Sequence, residues 1–463
     1  MDRLNAGDAS FLYAEDATMP MHVGGVFVVR PPRGGFDFDR FVELIVDRLS
    51  LAPRYRQRIA TVPAKLANPV WIDDEEFDIG YHVRRSALPA PGSSKQLAEL
   101  VSRLMSRRLD RSRPLWEIYL VEGLPRGRVA IITKAHHALV DGVRTFDISE
   151  ILLDTSSIPE KRLLTEWHPR KTPSHIELLA ASMRDYARRP RTVLDTWRAG
   201  ISDAKTTSKR LAEIAGSIVT TARKVAQPPS ASPLNVPIGA QRRFAMTCTK
   251  LDDYKIVSHR QKCSVNDVAL ATISGALRTW LMARGEAVRT STTLRAMLPV
   301  SVRPSARSAV GPADGLATIF VDLPIGEPNA LVRLSQIAYA TAGHRESEQA
   351  ISARTLVSLT EFAPPTVHSL AAQVTQGLTK RVYNLVITNV PGPQHPLYAS
   401  GGRLVEMYPV VSLAKSQALA IGLTSYDGTV CFGLNADRDA MGDVDALSQM
   451  IEESLAELVG LCE

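Results

Sequence analysis

His136-His137-Ala138-Leu139-Val140-Asp141-Gly142 is the stretch on which the reading of this chain turns. Just upstream, Arg128 to Thr133 is rich in β-branched apolar residues and reads as a strand; just downstream, Val143 to Leu153 carries apolar residues at helical spacing. The heptapeptide therefore sits at a strand-to-helix junction. Successive residues of an extended chain point to opposite faces, so the two histidines cannot easily share one metal ion or one substrate. One is expected to face a cleft and the other the packing. Asp141 falls in the turn, where it can pair with a cation or with backbone amides. Gly142 allows a backbone conformation or a close approach that a Cβ would forbid.

Outward from the motif, the first third of the chain reads as mixed α/β. Val23 to Arg30 is an expected strand, and Asp37 to Leu49 places Phe38, Phe41, Leu44, Ile45 and Leu49 at helical spacing. A second helix is expected from Ser94 to Leu109. Trp116 to Val121 and Arg128 to Thr133 are expected strands, separated by the turn at Gly123 to Gly127. Beyond the motif the chain becomes basic: Lys161 to Ala226 holds 14 Lys/Arg against 6 Asp/Glu, more than the +7 of the whole chain. An electrostatic partner would meet this segment first. It reads as helical, opened by the capping-box spacing of Ser174 and Glu177, and Pro190 is expected to break it. The proline- and serine-rich run from Gln227 to Pro233 is the expected linker.

The second half restarts as α/β. Val265 to Arg284 is an expected helix ending at Gly285. Leu294 to Val302, Ala317 to Leu323 and Asn384 to Val390 are expected strands, with Leu331 to Thr341 helical between the second and third. Ala418 to Ser425 and Thr429 to Leu434 read as a hairpin around Asp427-Gly428, and the last twenty residues as an amphipathic helix.

Composition excludes several classes. A length of 463 residues suggests two or three domains, and 45% hydrophobic with 22% charged residues argues against wholesale disorder or a multi-span membrane protein. No run reaches the ~18 apolar residues of a membrane span, and the N-terminal residues lack the apolar core of a signal peptide. The four cysteines, at 248, 263, 431 and 462, are so far apart that neither a disulfide framework nor a zinc pattern is expected. A cytoplasmic setting is the default. The basic segment lacks the interleaved aromatics of a nucleic-acid binder. There is no G-x-S-x-G, no Walker A motif and no convincing dinucleotide fingerprint.

Short elements elsewhere add to the histidine motif: Gly7-Asp8-Ala9-Ser10-Phe11-Leu12, Met21-His22-Val23-Gly24, Pro114-Leu115-Trp116, Asn266-Asp267-Val268, Leu298-Pro299-Val300-Ser301-Val302-Arg303, Asn389-Val390-Pro391-Gly392-Pro393 and Ser425-Tyr426-Asp427-Gly428. HHxxxDG at a strand-to-loop junction is the signature of the CoA-dependent acyltransferase superfamily. The further elements, in this order, resemble those of the bacterial wax ester synthase/acyl-CoA:diacylglycerol acyltransferase family. One departure is visible: Gly311-Pro312-Ala313-Asp314-Gly315 stands where such proteins often carry a Gly-Asn pair.

The resemblance implies an α/β fold of two chloramphenicol-acetyltransferase-like lobes around a central tunnel. The expected division is residues 1–155 with the motif, a basic helical linker over 156–240, and a second lobe over 241–463. It implies triacylglycerol synthesis from diacylglycerol and long-chain acyl-CoA, with a long-chain alcohol as the alternative acceptor. His137 would be the general base; histidine's ordinary pKa of ~6.5 suits that task. His136 would be positional, and Asp141 would hold the loop through a salt bridge to an arginine. A thioester is already activated, so no covalent acyl-enzyme is required, and neither metal nor cofactor is implied beyond acyl-CoA as co-substrate. Ser301, Thr388 and Asn389 either donate to the oxyanion or cap strand ends. Asn266 and Asp267 either N-cap the following helix or serve the domain interface. Trp116 is packing or a border of the acyl site, and Arg303 an ion pair or a CoA contact. The basic segment either meets an anionic membrane or lipid-droplet surface or is a solvated crossover. A non-catalytic lipid-binding relative is the competing class, and intact His137 and Asp141 weigh against it.

Overall fold

The computed structural model describes residues 2–63, 67–140, 148–158, 167–188, 230, 232–302, 315–346, 351–352 and 382–463. Its first half runs β1 (Asp2–Arg3), α1 (Ala6–Ala14), β2 (His22–Arg30), α2 (Phe38–Arg48), β3 (Gln57–Ala60), β4 (Val70–Asp73), α3 (Ile79–His82), β5 (Val83–Ala87), α4 (Ser94–Ser106), β6 (Trp116–Glu122), β7 (Val129–His136), α5 (His137–Val140), α6 (Ile148–Leu152) and α7 (His175–Arg188). The second half runs β8 (Arg242–Lys250), α8 (Leu251–Gln261), α9 (Val265–Ala283), β9 (Leu294–Val302), β10 (Gly315–Leu323), α10 (Ala330–Glu346), β11 (Ile351–Ser352), β12 (Leu385–Pro391), β13 (Tyr398–Ala399), β14 (Gly402–Val410), β15 (Leu419–Tyr426), β16 (Thr429–Asp437) and α11 (Val444–Gly460).

Local chemistry explains the main boundaries. Asp37 caps α2 by accepting from the Arg40 amide, which satisfies a donor the first turn leaves free. Ser93 and Gln96 form a capping box on α4. Ser174 and Glu177 do the same for α7, as their spacing predicts. The expected helix from Ser94 to Leu109 stops three residues early, at Ser106. Leu109 is still buried, so its apolar character serves the following loop. Asp427 and Gly428 both have positive φ, the backbone a tight hairpin between β15 and β16 requires.

Among the described residues, two large sheets carry the fold. One has six strands in the order β13-β14-β2-β7-β6-β5; the other has seven in the order β11-β10-β9-β12-β15-β16-β8. A small sheet, β1-β4-β3, lies beside them. All eight residues of β7 are buried, so this strand is covered on both faces. One core packs α2 and the opening segment on the first sheet through Phe41, Ile45, Trp116 and Ile131. Another wraps α9 and α11 on the second sheet through Leu270, Trp280, Leu434 and Ile451.

The halves are not separated cleanly along the chain. β13 and β14, from residue 398 onward, pair into the first sheet: β14 lies antiparallel to β2, with Tyr408 opposite Val26. The sequence reading assigned no strand there. From the other side, α4 of the first half covers the edge of β8. The hydroxyls of Ser106 and Ser102 accept from the amides of Arg242 and Phe244 at 2.9 and 2.8 Å. Those amides would otherwise sit on an open strand edge.

One cysteine expectation is overturned. Cys248 and Cys431 form a disulfide. They are 183 residues apart in sequence, but β8 and β16 are antiparallel neighbours whose register sets them directly opposite each other. Spacing along a chain does not report register between strands. Cys263 and Cys462 are free thiols.

Candidate active site

His136 ends β7 and His137 begins α5. The change from strand to helix between them sends their rings to different surroundings. His136 is 1% exposed. Its Nδ1 accepts from the Ala138 amide at 3.0 Å, which fixes the neutral tautomer with the proton on Nε2. Burial pushes its pKa down to about 3, with Glu15 opposing the shift. His137 is only half-buried. Phe11 of α1 stacks on its ring at 4.9 Å between centroids and 17° between planes. Its backbone amide donates to the Met21 carbonyl at 2.9 Å. Its Nε2 lies 3.0 Å from Oγ of Ser412, just past the end of β14.

A buried polar cluster supports this arrangement from behind. His22 pairs with His136 across β2 and β7. Glu15, at the end of α1, has its side chain 2% exposed. Its Oε1 is 3.5 Å from Nε2 of His22 and its Oε2 is 3.9 Å from Nε2 of His136. Arg111 donates to Glu15 through Nε at 2.9 Å and to the Leu12 carbonyl through Nη2 at 2.8 Å. Burial opposes ionisation of Glu15, but the nearby His22 imidazole and the Arg111 guanidinium outweigh it and take the carboxyl down to about 2. Burial takes His22 down to about 4. Close by, Lys134 lies 3.7 Å from Glu117, and burial lowers it to about 8. Near neutral pH the centre of the cluster is thus a carboxylate held by arginine beside two neutral histidines. It ties the end of α1, which carries Phe11, to the end of β7, which leads into His137.

The other sequence-derived candidates divide. Asp141, Gly142 and Arg303 lie outside the described residues. Ser301 occupies β9 opposite Leu316. Trp116 is 1% exposed; its indole N–H donates to the Tyr55 carbonyl at 2.7 Å, and its ring stacks on His82. Such an enclosed ring offers no surface to an acyl chain. The N-cap of α9 is Ser264, in a capping box with Asp267. The expectation that Asn266 caps this helix is therefore corrected: a cap must precede the first helical residue, and Asn266 is already the second. Its side chain accepts from Asn389 Nδ2 at 2.9 Å, so the two asparagine motifs meet as a brace between α9 and β12. Thr388, one residue earlier, points to the opposite face. It pairs with Gly422, over which Pro409 and Val411 pass.

Sequence reasoning quoted Phe11 and His22 without giving either a task, and did not mark Glu15 or Ser412. A signal existed for the first three. Glu15 follows Phe11 by four residues as the C-cap of the same helix, and the strand that follows opens on a histidine. For Ser412, 275 residues from His137, no local signal exists.

The family model described as the wax ester synthase/diacylglycerol acyltransferase catalytic domain matches residues 4–269, and that of the WS/DGAT C-terminal domain matches 315–459. The chain belongs to this family. Across its full length it is 33% identical to the probable diacylglycerol O-acyltransferase tgs1 of Mycobacterium tuberculosis (strain ATCC 25618 / H37Rv), covering 96% of that relative. Over 56% of its length it is 43% identical to the probable diacylglycerol O-acyltransferase tgs3 of the same strain, covering 97% of it. Among solved structures it superposes on the wax ester synthase/diacylglycerol acyltransferase from Marinobacter aquaeolei VT8 with a TM-score of 0.73, at 29% identity and complete coverage of both chains. The starter condensation domain of rhizomide synthetase, solved with C8-CoA and Leu-SNAC, shares the fold at 14% identity and a TM-score of 0.55 over all of this chain and 94% of that one. The protein is therefore an acyltransferase with the two-lobed α/β fold of the family. Among the described residues no helix is long and apolar enough to cross a membrane.

Proposed function

We propose that this chain transfers a long-chain acyl group from acyl-CoA to the free hydroxyl of diacylglycerol, making triacylglycerol, with His137 as general base. The acceptor assignment rests on 33% identity along the whole chain to a relative named as a probable diacylglycerol O-acyltransferase. The mechanism rests on one observation: of the two motif histidines, only His137 leaves the packing and turns its Nε2 towards a hydroxyl of the second half. Nε2 takes the proton of the acceptor O–H as that oxygen attacks the thioester carbonyl carbon. The C–S bond then breaks, the CoA thiolate takes the proton back from the imidazolium, and ester and free CoA leave. Because a thioester is already activated, transfer is direct and passes through no acyl-enzyme. His136, sealed in its neutral form, positions the end of β7. Acyl-CoA is the sole co-substrate, and no metal or further cofactor enters the step.

The test is an end-point assay with palmitoyl-CoA, offering dioleoylglycerol and hexadecanol in separate tubes and following both CoA release and extracted lipid. Triacylglycerol is expected from the first tube. His137→Ala should lower turnover by about 10²-fold or more while palmitoyl-CoA still binds. Near-normal ester synthesis by that variant would remove His137 from the role of base. Wax ester formed in preference to triacylglycerol would transfer the acceptor assignment to long-chain alcohols.

A further inference from the structure

Ser412 lies in none of the motifs legible in the sequence, yet its Oγ sits 3.0 Å from Nε2 of His137. Both sides of that contact are built. The Val411 carbonyl, one residue before, accepts from Nδ2 of Asn435 at 2.7 Å, and Asn435 is itself 4% exposed. The preceding residues are pressed on two glycines of the second sheet: a Cβ at Gly433 would lie 1.9 Å from the Pro409 carbonyl oxygen, and one at Gly422 would lie 2.9 Å from the Val411 side chain. Opposite, the His137 ring is held by the Phe11 stack and by the bond from its amide to Met21. A hydroxyl oxygen is thus placed where a nucleophilic oxygen must stand to lose its proton to this nitrogen.

A thioester is open to attack by water as well as by alcohols, and a general base next to it serves either nucleophile. We propose that Ser412 holds this place on His137 against water, so that the acyl group passes to the alcohol acceptor and is not hydrolysed. The inference rests on His137 being the base. The diverted reaction would run as follows: a water O–H gives its proton to Nε2, its oxygen attacks the carbonyl carbon, the C–S bond breaks, and the CoA thiolate takes the proton from the imidazolium. Fatty acid and free CoA result. A lipid acceptor can displace the serine hydroxyl, because burial of its chains offsets the lost hydrogen bond; water brings no such compensation. The serine side chain gives way by one rotamer change. Removing the hydroxyl leaves room for one water at the same nitrogen, with a polar partner to hold it.

The experiment compares the wild type, Ser412→Ala, Ser412→Thr, His137→Ala and the His137→Ala/Ser412→Ala double variant. Each is given palmitoyl-CoA with and without dioleoylglycerol, and CoA, palmitate and triacylglycerol are all quantified. Without acceptor, Ser412→Ala is expected to release palmitate at least about tenfold faster than the wild type. With acceptor, a smaller share of its CoA release should appear as ester. Ser412→Thr keeps a hydroxyl and should keep the low palmitate yield; if the alanine variant does not fold, Ser412→Gly removes the same group. The double variant should lose the gain. Palmitate release by Ser412→Ala no faster than the wild type, while His137→Ala is inactive, would overturn the role of Ser412 and leave the base in place. A palmitoyl group on Ser412, found by mass spectrometry of the wild type with palmitoyl-CoA alone, would overturn it in favour of a serine nucleophile. Ester synthesis retained by His137→Ala would remove the base on which the inference stands.

Discussion

Glu15, His22 and His136 show how a few buried side chains can hold a neighbour's geometry while making the protein sensitive to acid. His22 and His136 are neutral in the fold, with pKa values near 4 and 3, whereas in the unfolded chain each titrates near 6.5. As pH falls through 6.5, the unfolded state takes up protons that the native state refuses, so stability drops. The loss continues until the folded values are reached, at about 2 kcal/mol for each histidine by pH 5. Glu15 works in the same direction at lower pH. Its folded pKa of about 2 lies below its unfolded value, so its contribution is complete above about 4.5 and fades between there and 2. Thermal melts from pH 7 to pH 5 should therefore show a steep fall in Tm. A His22→Asn/His136→Asn variant should start lower at pH 7 and show a shallower slope; an unchanged slope would exclude these two groups as its source.

At the level of elements, the crossing of β14 matters most. It pairs with β2 in the first sheet, and the chain around its end then runs over β15 and β16 of the second, where Gly422 and Gly433 leave the space it needs. A methyl group at Gly433 would meet the backbone carbonyl of Pro409, which no side-chain rotation can relieve. Gly433→Ala is expected to cost about 1–3 kcal/mol of stability, the usual range for overpacking. Its effect on turnover should exceed its effect on folding, because the displaced segment carries Ser412. Denaturant melts and ester synthesis on the same preparation separate the two. Losses that ran strictly parallel would show that the crossing serves stability alone.

For the whole molecule, net positive charge and exposed apolar side chains fall in the same segment. The excess positive charge is concentrated in residues 161–226, and α7, within that segment, leaves Ile176 and Met183 exposed while Leu178 packs towards Val70 and Ile72. The charges of α7 itself cancel, Arg184 and Arg188 against Glu177 and Asp185, but outward-facing apolar side chains within a segment of net positive charge make an anionic bilayer the surface to test. Sedimentation with vesicles of anionic lipid should pull the protein down at low salt and release it as ionic strength rises, since surface charges are screened within about 8 Å at 0.15 M. Ile176→Ser/Met183→Ser should weaken the binding. Equal binding to neutral vesicles would assign the contact to apolar surface alone.

By itself the sequence determined the local features: the junction at His136 and His137, the helix beginning near Asp37, the capping box of Ser174 and Glu177, the Asp427-Gly428 turn, and most of the strands and helices. Each depends on residues within a few positions of one another, so spacing along the chain reports it. Ordered short motifs carried the family as well. Only the tertiary structure decided what depends on register between distant strands. It joined Cys248 to Cys431, set His22 opposite His136, inserted β14 into the first sheet, turned Asn266 from a cap into a brace for Asn389, and brought Ser412 to His137. Sheet pairing joins residues hundreds of positions apart through backbone hydrogen bonds that every residue but proline can make in full, so the side-chain sequence carries little local trace of which strand lies beside which.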